Sequence, residues 1–218
     1  MRSDVLLVAY RDRLPRIECG GAVAGRRTEP DTVHLLSAAA TPLGGDAIHI
    51  RVVVEPGARL RVRTAAGTVT LPGSATVESH AFWTFEVAGD LDVDPQPTVV
   101  AATSRHFTST RLELADAGRI RLRERIQIGR SHEREGFWSG SLHADVNGSP
   151  LLRHRIELGT GGVADDALGT PMACVSELRY PGSAFDAAGT LFELAPGGAL
   201  ATWQGERLAE VTTTGAAH

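Results

Sequence analysis

Hydrophobic and polar residues alternate between residues 118 and 130, and one position breaks the alternation. The apolar positions are Ile120, Leu122, Ile126 and Ile128. Arginines occupy most of the positions between them, and successive side chains of a β-strand point to opposite faces. The pattern therefore predicts a half-buried strand with a basic outer face. Glu124 is the exception, because it falls on the apolar face.

A carboxylate on the buried face of a strand needs compensation, because leaving it bare is strongly unfavourable. Two interpretations of Glu124 remain open. In the first, Glu124 forms a buried ion pair with an arginine, the usual arrangement for buried charges. In the second, Glu124 lines a polar cavity or an ion route, where internal water solvates it.

The same kind of patterning predicts further strands along the chain. They cover residues 5–10, 33–36, 48–54, 60–64, 138–146 and 151–158. Glycine and proline predict loops over residues 19–30 and 159–171. A helical turn is predicted over residues 163–168. The C-terminus is predicted to begin as a short helix and to be disordered from about residue 212.

A strand–turn–strand pattern recurs around Gly57, Gly89, Gly118 and Gly198. Proline, aspartate and glycine occupy the turns, which is typical of β-hairpins, and Asn147-Gly148 is a further hairpin signal. The copies are unevenly spaced, so they do not indicate a repeat of fixed period. The prediction is an all-β protein with few short helices, built from successive hairpins.

The composition is that of an ordinary globular protein, with 42% hydrophobic and 22% charged residues among 218. This length suits one large all-β domain or two small ones. A net charge of −4 gives no global attraction to nucleic acid or membrane. Two cysteines without zinc spacing, and the lack of a signal peptide or a membrane-length apolar stretch, predict a cytoplasmic location.

No motif for an enzyme stands out in the sequence. It lacks the G-x-S-x-G elbow of hydrolases and the phosphate-binding G-x-x-x-x-G-K-[ST] loop. The charged turn that contains His132, Glu133 and Glu135 is more typical of a solvated cluster than of a metal site. Two alternatives stay open. One is a β-sandwich hydrolase that pairs Glu124 with Asp46 or Asp145, and the other is an anion-binding β module that uses the arginine rows.

Several motifs resemble the family of the urease accessory protein UreD, also called UreH. The resemblance rests on Pro95-Gln96-Pro97 with Val99, on Glu124 followed by Gly129-Arg130, and on Gly44-Gly45-Asp46 before an alternating strand. It extends over roughly residues 15–194 and implies one UreD-like domain over residues 1–218. It also implies stacked, helically wound β-sheets.

The resemblance implies a non-catalytic scaffold for nickel delivery. Proteins of this family bind UreF, which recruits the GTPase UreG with its GTP, and they dock on apo-urease. An internal water-filled tunnel is the proposed nickel route. Glu124 and Asp46 are then candidate ligands for nickel in transit, with no tightly bound cofactor, although Asp46 could equally cap the next strand. Gln96, between two prolines, is predicted to form a rigid bend.

Overall fold

The structure is a computed structural model, and it describes residues 1–115, 117–163, 165, 170–187 and 189–208. These residues form 17 strands and no α-helix. The first nine are β1 (Arg2–Ala9), β2 (Arg16–Gly20), β3 (Val23–Glu29), β4 (Thr32–Ser37), β5 (Ala47–Val54), β6 (Arg59–Thr64), β7 (Thr68–Thr70), β8 (Glu78–Val87) and β9 (Asp90–Val93). The others are β10 (Thr98–Val100), β11 (Arg105–Leu114), β12 (Arg119–Ile128), β13 (Phe137–Val146), β14 (Ser149–Gly159), β15 (Ala173–Tyr180), β16 (Thr190–Glu193) and β17 (Ala199–Gly205).

The strands form two sheets, and the chain passes repeatedly from one to the other. A seven-stranded sheet has the order β14-β13-β11-β8-β5-β1-β2. A ten-stranded sheet has the order β16-β17-β15-β12-β9-β6-β4-β3, with β10 paired to both β12 and β7. Parallel pairs join β5, β8, β11 and β13 in one sheet and β4, β6, β9 and β12 in the other. This confirms an all-β protein with stacked, wound sheets.

The predicted hairpins divide into two groups. Asn147 and Gly148 join β13 to its antiparallel neighbour β14, and both have the positive φ angles, 50° and 73°, that such a two-residue turn requires. Gly198 lies in the turn of a second hairpin, between β16 and β17. The turns at Gly57, Gly89 and Gly118 differ from the prediction, because each joins a strand of one sheet to a strand of the other.

These three turns lie one above another and are hydrogen-bonded between successive coils. The backbone N–H of Asp90 donates to the carbonyl of Ala58 at 2.9 Å, and that of Arg119 donates to the carbonyl of Gly89 at 2.8 Å. Bonds between coils satisfy backbone groups that a free turn would leave to water. The similar turn sequences therefore reflect stacking of coils rather than a row of hairpins.

The prediction of a loop over residues 19–30 is wrong, because this segment contains the end of β2 and all of β3. Both are edge strands with many exposed side chains, so the alternation that marks a half-buried strand is missing. Gly25 is needed in β3 because a Cβ there would lie 2.7 Å from Cγ2 of Ile17. The predicted helical turn over residues 163–168 and the tail from about residue 212 fall mainly or wholly outside the described residues.

No helix in the described ranges is both long and apolar enough to cross a lipid bilayer.

The interior consists of two apolar clusters. The larger lies under the stacked turns and contains Phe85, Leu60 and Leu112, whereas the smaller surrounds Trp138 near the other end of the strands. Both clusters bury side chains of β12, which therefore passes through the centre of the molecule.

We expect Gly89→Ala to weaken the stacking of the coils. A Cβ at this position would lie 2.3 Å from the carbonyl oxygen of Ala58 and 2.6 Å from that of Glu55, so the turn would have to move. The free energy of unfolding, measured in urea, should fall by about 1–3 kcal/mol.

The control is Gly20→Ala, where the nearest atom to a new Cβ is 4.0 Å away. It should change stability by no more than about 0.5 kcal/mol. Equal stability of the two variants would show that the turns do not need this close approach.

Candidate functional site

Glu124 lies on the inward face of β12, at the boundary between the two apolar clusters. Ile120 belongs to the larger cluster and Leu122 packs against it, whereas Ile126 and Ile128 belong to the smaller one. The carboxylate therefore occupies the position where a continuous core would have another aliphatic side chain. It is deep in the protein but keeps part of its accessible surface.

That accessible surface faces an internal cavity of about 320 Å³ between the two sheets. Side chains from many strands line it, including Leu35 of β4, Ile50 of β5, Trp83 of β8, Thr108 of β11 and His154 of β14. Because these strands follow one another across the sheets, the cavity extends along the axis about which the chain winds. A cavity of this volume has room for several water molecules.

A chain of hydrogen bonds from the cavity wall ends at Glu124. The indole Nε1–H of Trp138 donates to Oγ1 of Thr108 at 3.1 Å, and the Thr108 hydroxyl donates to the Glu124 carboxylate. Arg123 and Arg125 point to the opposite face of β12, and no arginine among the described residues forms an ion pair with Glu124. The structure thus favours the cavity interpretation of Glu124 over the buried ion pair.

The position of Glu124 changes its protonation. Burial raises the pKa of this carboxyl group to about 7, and the hydrogen bond from Thr108 offsets part of the rise. Near neutral pH the side chain is therefore present in both protonation states. A shift of this kind in a cavity is a common property of functional groups.

Two histidines face the same cavity. His106 has its Nδ1 2.9 Å from Oγ of Ser79, and burial, reinforced by the nearby His80, lowers its pKa to about 4. Burial also lowers the pKa of His154, whose Nε2 has no hydrogen-bond partner among the described residues. Neutral imidazoles can bind borderline divalent metals. Within the described ranges, however, no three His, Cys, Asp or Glu side chains cluster closely enough to hold a metal ion.

The Pro95-Gln96-Pro97 motif interrupts the ten-stranded sheet beside Glu124. β9 pairs with β12 up to Leu122, and β10 resumes the pairing at Ile126. The bend between them is held by a hydrogen bond from the Gln96 backbone N–H to Oγ1 of Thr64 at 2.8 Å. Proline cannot donate to a sheet ladder, so the motif leaves a gap. Pro95 and Gln96 line the cavity at this gap, and the prediction of a rigid bend agrees with this geometry.

Arg125 fixes one side of the gap. Its Nη2 donates to the carbonyl of Pro95 at 2.6 Å and to Oδ1 of Asp94 at 2.8 Å. On the other side, the backbone N–H of Thr68 donates to the carbonyl of Pro97 at 3.0 Å. The gap is therefore a defined opening through the sheet.

Gly129 and Arg130 shape the turn that follows β12. Gly129 has a φ of 77°, and a Cβ there would lie 2.2 Å from the carbonyl oxygen of Glu133. The Nε of Arg130 donates to Oε1 of Glu133 at 2.9 Å, and this bond, with backbone N–H groups of Arg130 and Ala102, lowers the pKa of Glu133 to about 2. The charged turn after β12 is therefore held together by contacts among its own residues.

Asp46 has a structural environment of its own. Its carboxylate accepts hydrogen bonds from Oγ1 of Thr41 at 2.8 Å, from the backbone N–H of Leu43 at 2.9 Å and from the amino group of Met1 at 2.7 Å. Burial raises the pKa of Asp46, but these bonds outweigh it and the net shift is downward. Asp46 is not among the described residues that line the cavity, although Thr41 and Pro42 are.

The two glycines before Asp46 serve the same turn. A Cβ on Gly44 would lie 1.8 Å from the carbonyl oxygen of Thr76, so only glycine fits against that loop. Gly45 has a φ of 93°, which favours glycine. The Gly-Gly-Asp motif therefore builds the turn that leads into β5, as the capping interpretation of Asp46 implies.

The carboxylate pairs required by the hydrolase alternative are not brought together. Asp145 forms an ion pair with Arg153 at 2.5 Å and, like Asp46, is not among the described residues that line the Glu124 cavity. Glycosidase-type chemistry needs two carboxyl groups across one substrate bond. The described part of the cavity contains Glu124 without such a partner.

Thr108, His106 and His154 were missed by sequence reasoning. The signal for the first two was present in β11, where His106, Thr108 and Thr110 take alternate inward positions before the aliphatic Leu112. Polar residues on the inward face of a strand indicate a polar interior. His154 carried no such signal, because arginines flank it on β14.

Two stacked, wound sheets define the class, an all-β protein whose internal cavity contains a carboxylate. Comparison with known proteins identifies the family within that class. A family model described as UreD urease accessory protein matches residues 19–214. The chain therefore belongs to the UreD family of urease accessory proteins.

Individual relatives agree with this assignment. The chain is 37% identical over 198 residues to urease accessory protein UreD 1 of Saccharopolyspora erythraea, a match that covers 87% of this chain and 76% of that protein. It is 39% identical over 187 residues to urease accessory protein UreD of Frankia alni, covering 82% of this chain and 59% of the relative. For the UreD of Streptomyces avermitilis the identity is 34% over 154 residues, a match that covers 68% of this chain and 61% of that protein.

We expect Glu124→Gln to stabilise the protein at high pH. Because the pKa is raised from 4.5 to about 7 in the folded state, ionised Glu124 opposes folding progressively as the pH rises through this interval. Glutamine cannot ionise. At pH 8 the variant should gain at most about 3 kcal/mol in unfolding free energy, and the gain should shrink as the pH falls to 5.

Urea denaturation at pH 5 and pH 8 measures the effect. Glu113→Gln is the matched control, since Glu113 is exposed on β11, the strand that directly precedes β12, and the gain in stability expected for Glu124→Gln should be absent. A Glu124→Gln variant that is less stable than the parent at pH 8 would mean that the carboxylate has a compensating charge.

Proposed function

We propose that this protein is a non-catalytic urease maturation factor of the cytoplasm. In this proposal residues 1–218 act as one UreD-like domain that binds UreF, and through it UreG with GTP, and docks on apo-urease. Nickel passes through in transit, with no tightly bound cofactor and no nucleic-acid or membrane partner. Family membership and the names of the relatives support the link to urease maturation.

The observation that carries the nickel part of the proposal is Glu124 in the cavity. An ionised carboxylate with a hydroxyl donor, and with no arginine partner among the residues that the structure describes, offers a negatively charged oxygen to a cation in water. His106 and His154 add neutral nitrogens in the same cavity. Dispersed oxygen and nitrogen ligands suit weak, exchanging contacts with a borderline divalent ion such as nickel.

The proposed nickel contact of Asp46 has a further requirement. Its carboxylate already accepts three hydrogen bonds, so a metal ion would have to displace at least one of them. Glu124 needs no such exchange, because it faces open volume. We therefore assign the transit role first to Glu124 and propose Asp46 only as a contact that follows a rearrangement of its turn.

The test is activation of urease with Glu124→Gln. The variant would be expressed with UreF, UreG and apo-urease from the same source, in medium that contains nickel. Urease activity and the nickel content of urease should both fall by at least about tenfold, the loss typical when a metal-orienting group is removed. Co-purification with UreF should be unchanged, because Glu124 is inside the protein.

Glu113→Gln is again the matched control and should activate urease like the parent chain. Full activation by Glu124→Gln would remove Glu124 from the nickel route. Failure of the parent chain to retain UreF or to activate urease would contradict the maturation role itself.

A further inference from the structure

Arg123 lies at the opening in the ten-stranded sheet and lacks a full set of partners. Only 21% of its side chain is exposed, and its one ion pair, from Nε to Oε2 of Glu177, is long at 3.5 Å. The guanidinium carries five N–H donors, yet within the described ranges it donates no hydrogen bond. A largely buried charge without hydrogen bonds is costly and calls for a ligand.

Two other arginines compete with Arg123 for Glu177, and their short bonds go to the oxygen that Arg123 does not face. The Nε of Arg121 donates to Oε1 of Glu177 at 3.0 Å, and the Nε of Arg179 donates to the same oxygen at 2.6 Å. These bonds hold the Glu177 carboxylate toward its other partners. Arg125 also has a buried Nε without a partner among the described residues, but its Nη2 is bonded to Asp94 and Pro95. Arg123 has no such bond, so it is the arginine of this group that is most in need of an anion.

The charge around the opening is unbalanced in the same direction. Five arginines share three carboxylates in one connected network: Arg63, Arg121, Arg123, Arg125 and Arg179 with Asp92, Asp94 and Glu177. The excess of positive charge affects the pKa of Arg125. Burial lowers its pKa, and repulsion from Arg123, Arg121 and Arg63 lowers it further, although Asp94 opposes the shift. A negative group at this point would relieve the repulsion.

The opening also has room for a small ligand. Ala65, Ala66 and Gly67 form its rim on one side, and Pro95 with Gln96 forms the other. Small side chains leave volume next to the guanidinium of Arg123, and the volume is continuous with the cavity. The chemistry of the site is that of a planar, fork-shaped donor beside a space of limited size.

We propose that the opening in the ten-stranded sheet binds a small inorganic oxyanion, with Arg123 as its principal donor and the excess positive charge of the arginine network as its electrostatic support. The oxyanion accepts hydrogen bonds from the Arg123 guanidinium and neutralises part of the network. The proposal does not depend on the role of the chain in urease maturation.

Thermal unfolding with inorganic phosphate as the probe tests this site. The unfolding temperature of the parent chain should rise with phosphate, relative to sodium chloride at matched ionic strength, because a ligand of the folded state stabilises it. In Arg123→Gln the rise should vanish, or the phosphate concentration needed for it should increase by at least about tenfold.

Arg119→Gln is the matched control. Arg119 lies on the same outer face of β12 but is 62% exposed and 3.9 Å from Asp90, so its loss should leave the phosphate effect unchanged. Equal phosphate effects in both variants, or no effect in the parent chain, would overturn the proposal.

A measurement on the parent chain covers the case in which Arg123→Gln fails to fold. Arginine Nε–Hε resonances would be followed by NMR during a phosphate titration. A buried Nε–Hε signal that shifts to saturation with phosphate, and not with chloride, supports the site. Signals that move equally with both salts, or not at all, contradict it.

Discussion

Glu124 places a carboxylate between two apolar clusters, and the arrangement around it follows from the cost of leaving that group unsolvated. β12 cannot turn it outward, because the strict alternation of the strand fixes its face. The structure meets the constraint with a hydroxyl from Thr108 and a cavity that extends across the strands. Burial nevertheless outweighs this compensation, and the pKa of Glu124 is raised. A site that is costly in the folded protein is expected where function requires it.

Motifs that are distant in the sequence meet at this point in the fold. Pro95-Gln96-Pro97 ends one strand and begins the next, so the sheet opens opposite Glu124. The outer rim of the opening is positively charged, whereas the cavity behind it holds the carboxylate. Gly44 and Gly129 serve a different purpose, because each permits a close backbone approach in a turn. The family motifs thus place one carboxylate in the internal cavity and form the turns that support the strands around it.

The sequence allowed the strands with clear alternation and the inward position of Glu124 to be predicted. The strand topology could not be predicted correctly from the sequence. The turns at Gly57, Gly89 and Gly118 have the residues typical of hairpins, but each joins strands of two different sheets. Local turn chemistry fixes the reversal of the chain, not the partner of the next strand. The edge strands over residues 16–29 are mostly exposed, so they lacked the alternation that marks a half-buried strand. The cavity could not be predicted, because it depends on side chains that meet only in the folded protein.

A crystal structure of the parent chain at neutral pH, at a resolution that shows ordered water, tests the central claim most directly. The account predicts water molecules that hydrogen-bond the Glu124 carboxylate and continue along the cavity to the opening at Pro95 and Gln96. It also predicts that Arg123 and Arg125 remain on the outer face. A cavity closed by repacked side chains, with Glu124 in a direct ion pair with an arginine, would contradict it.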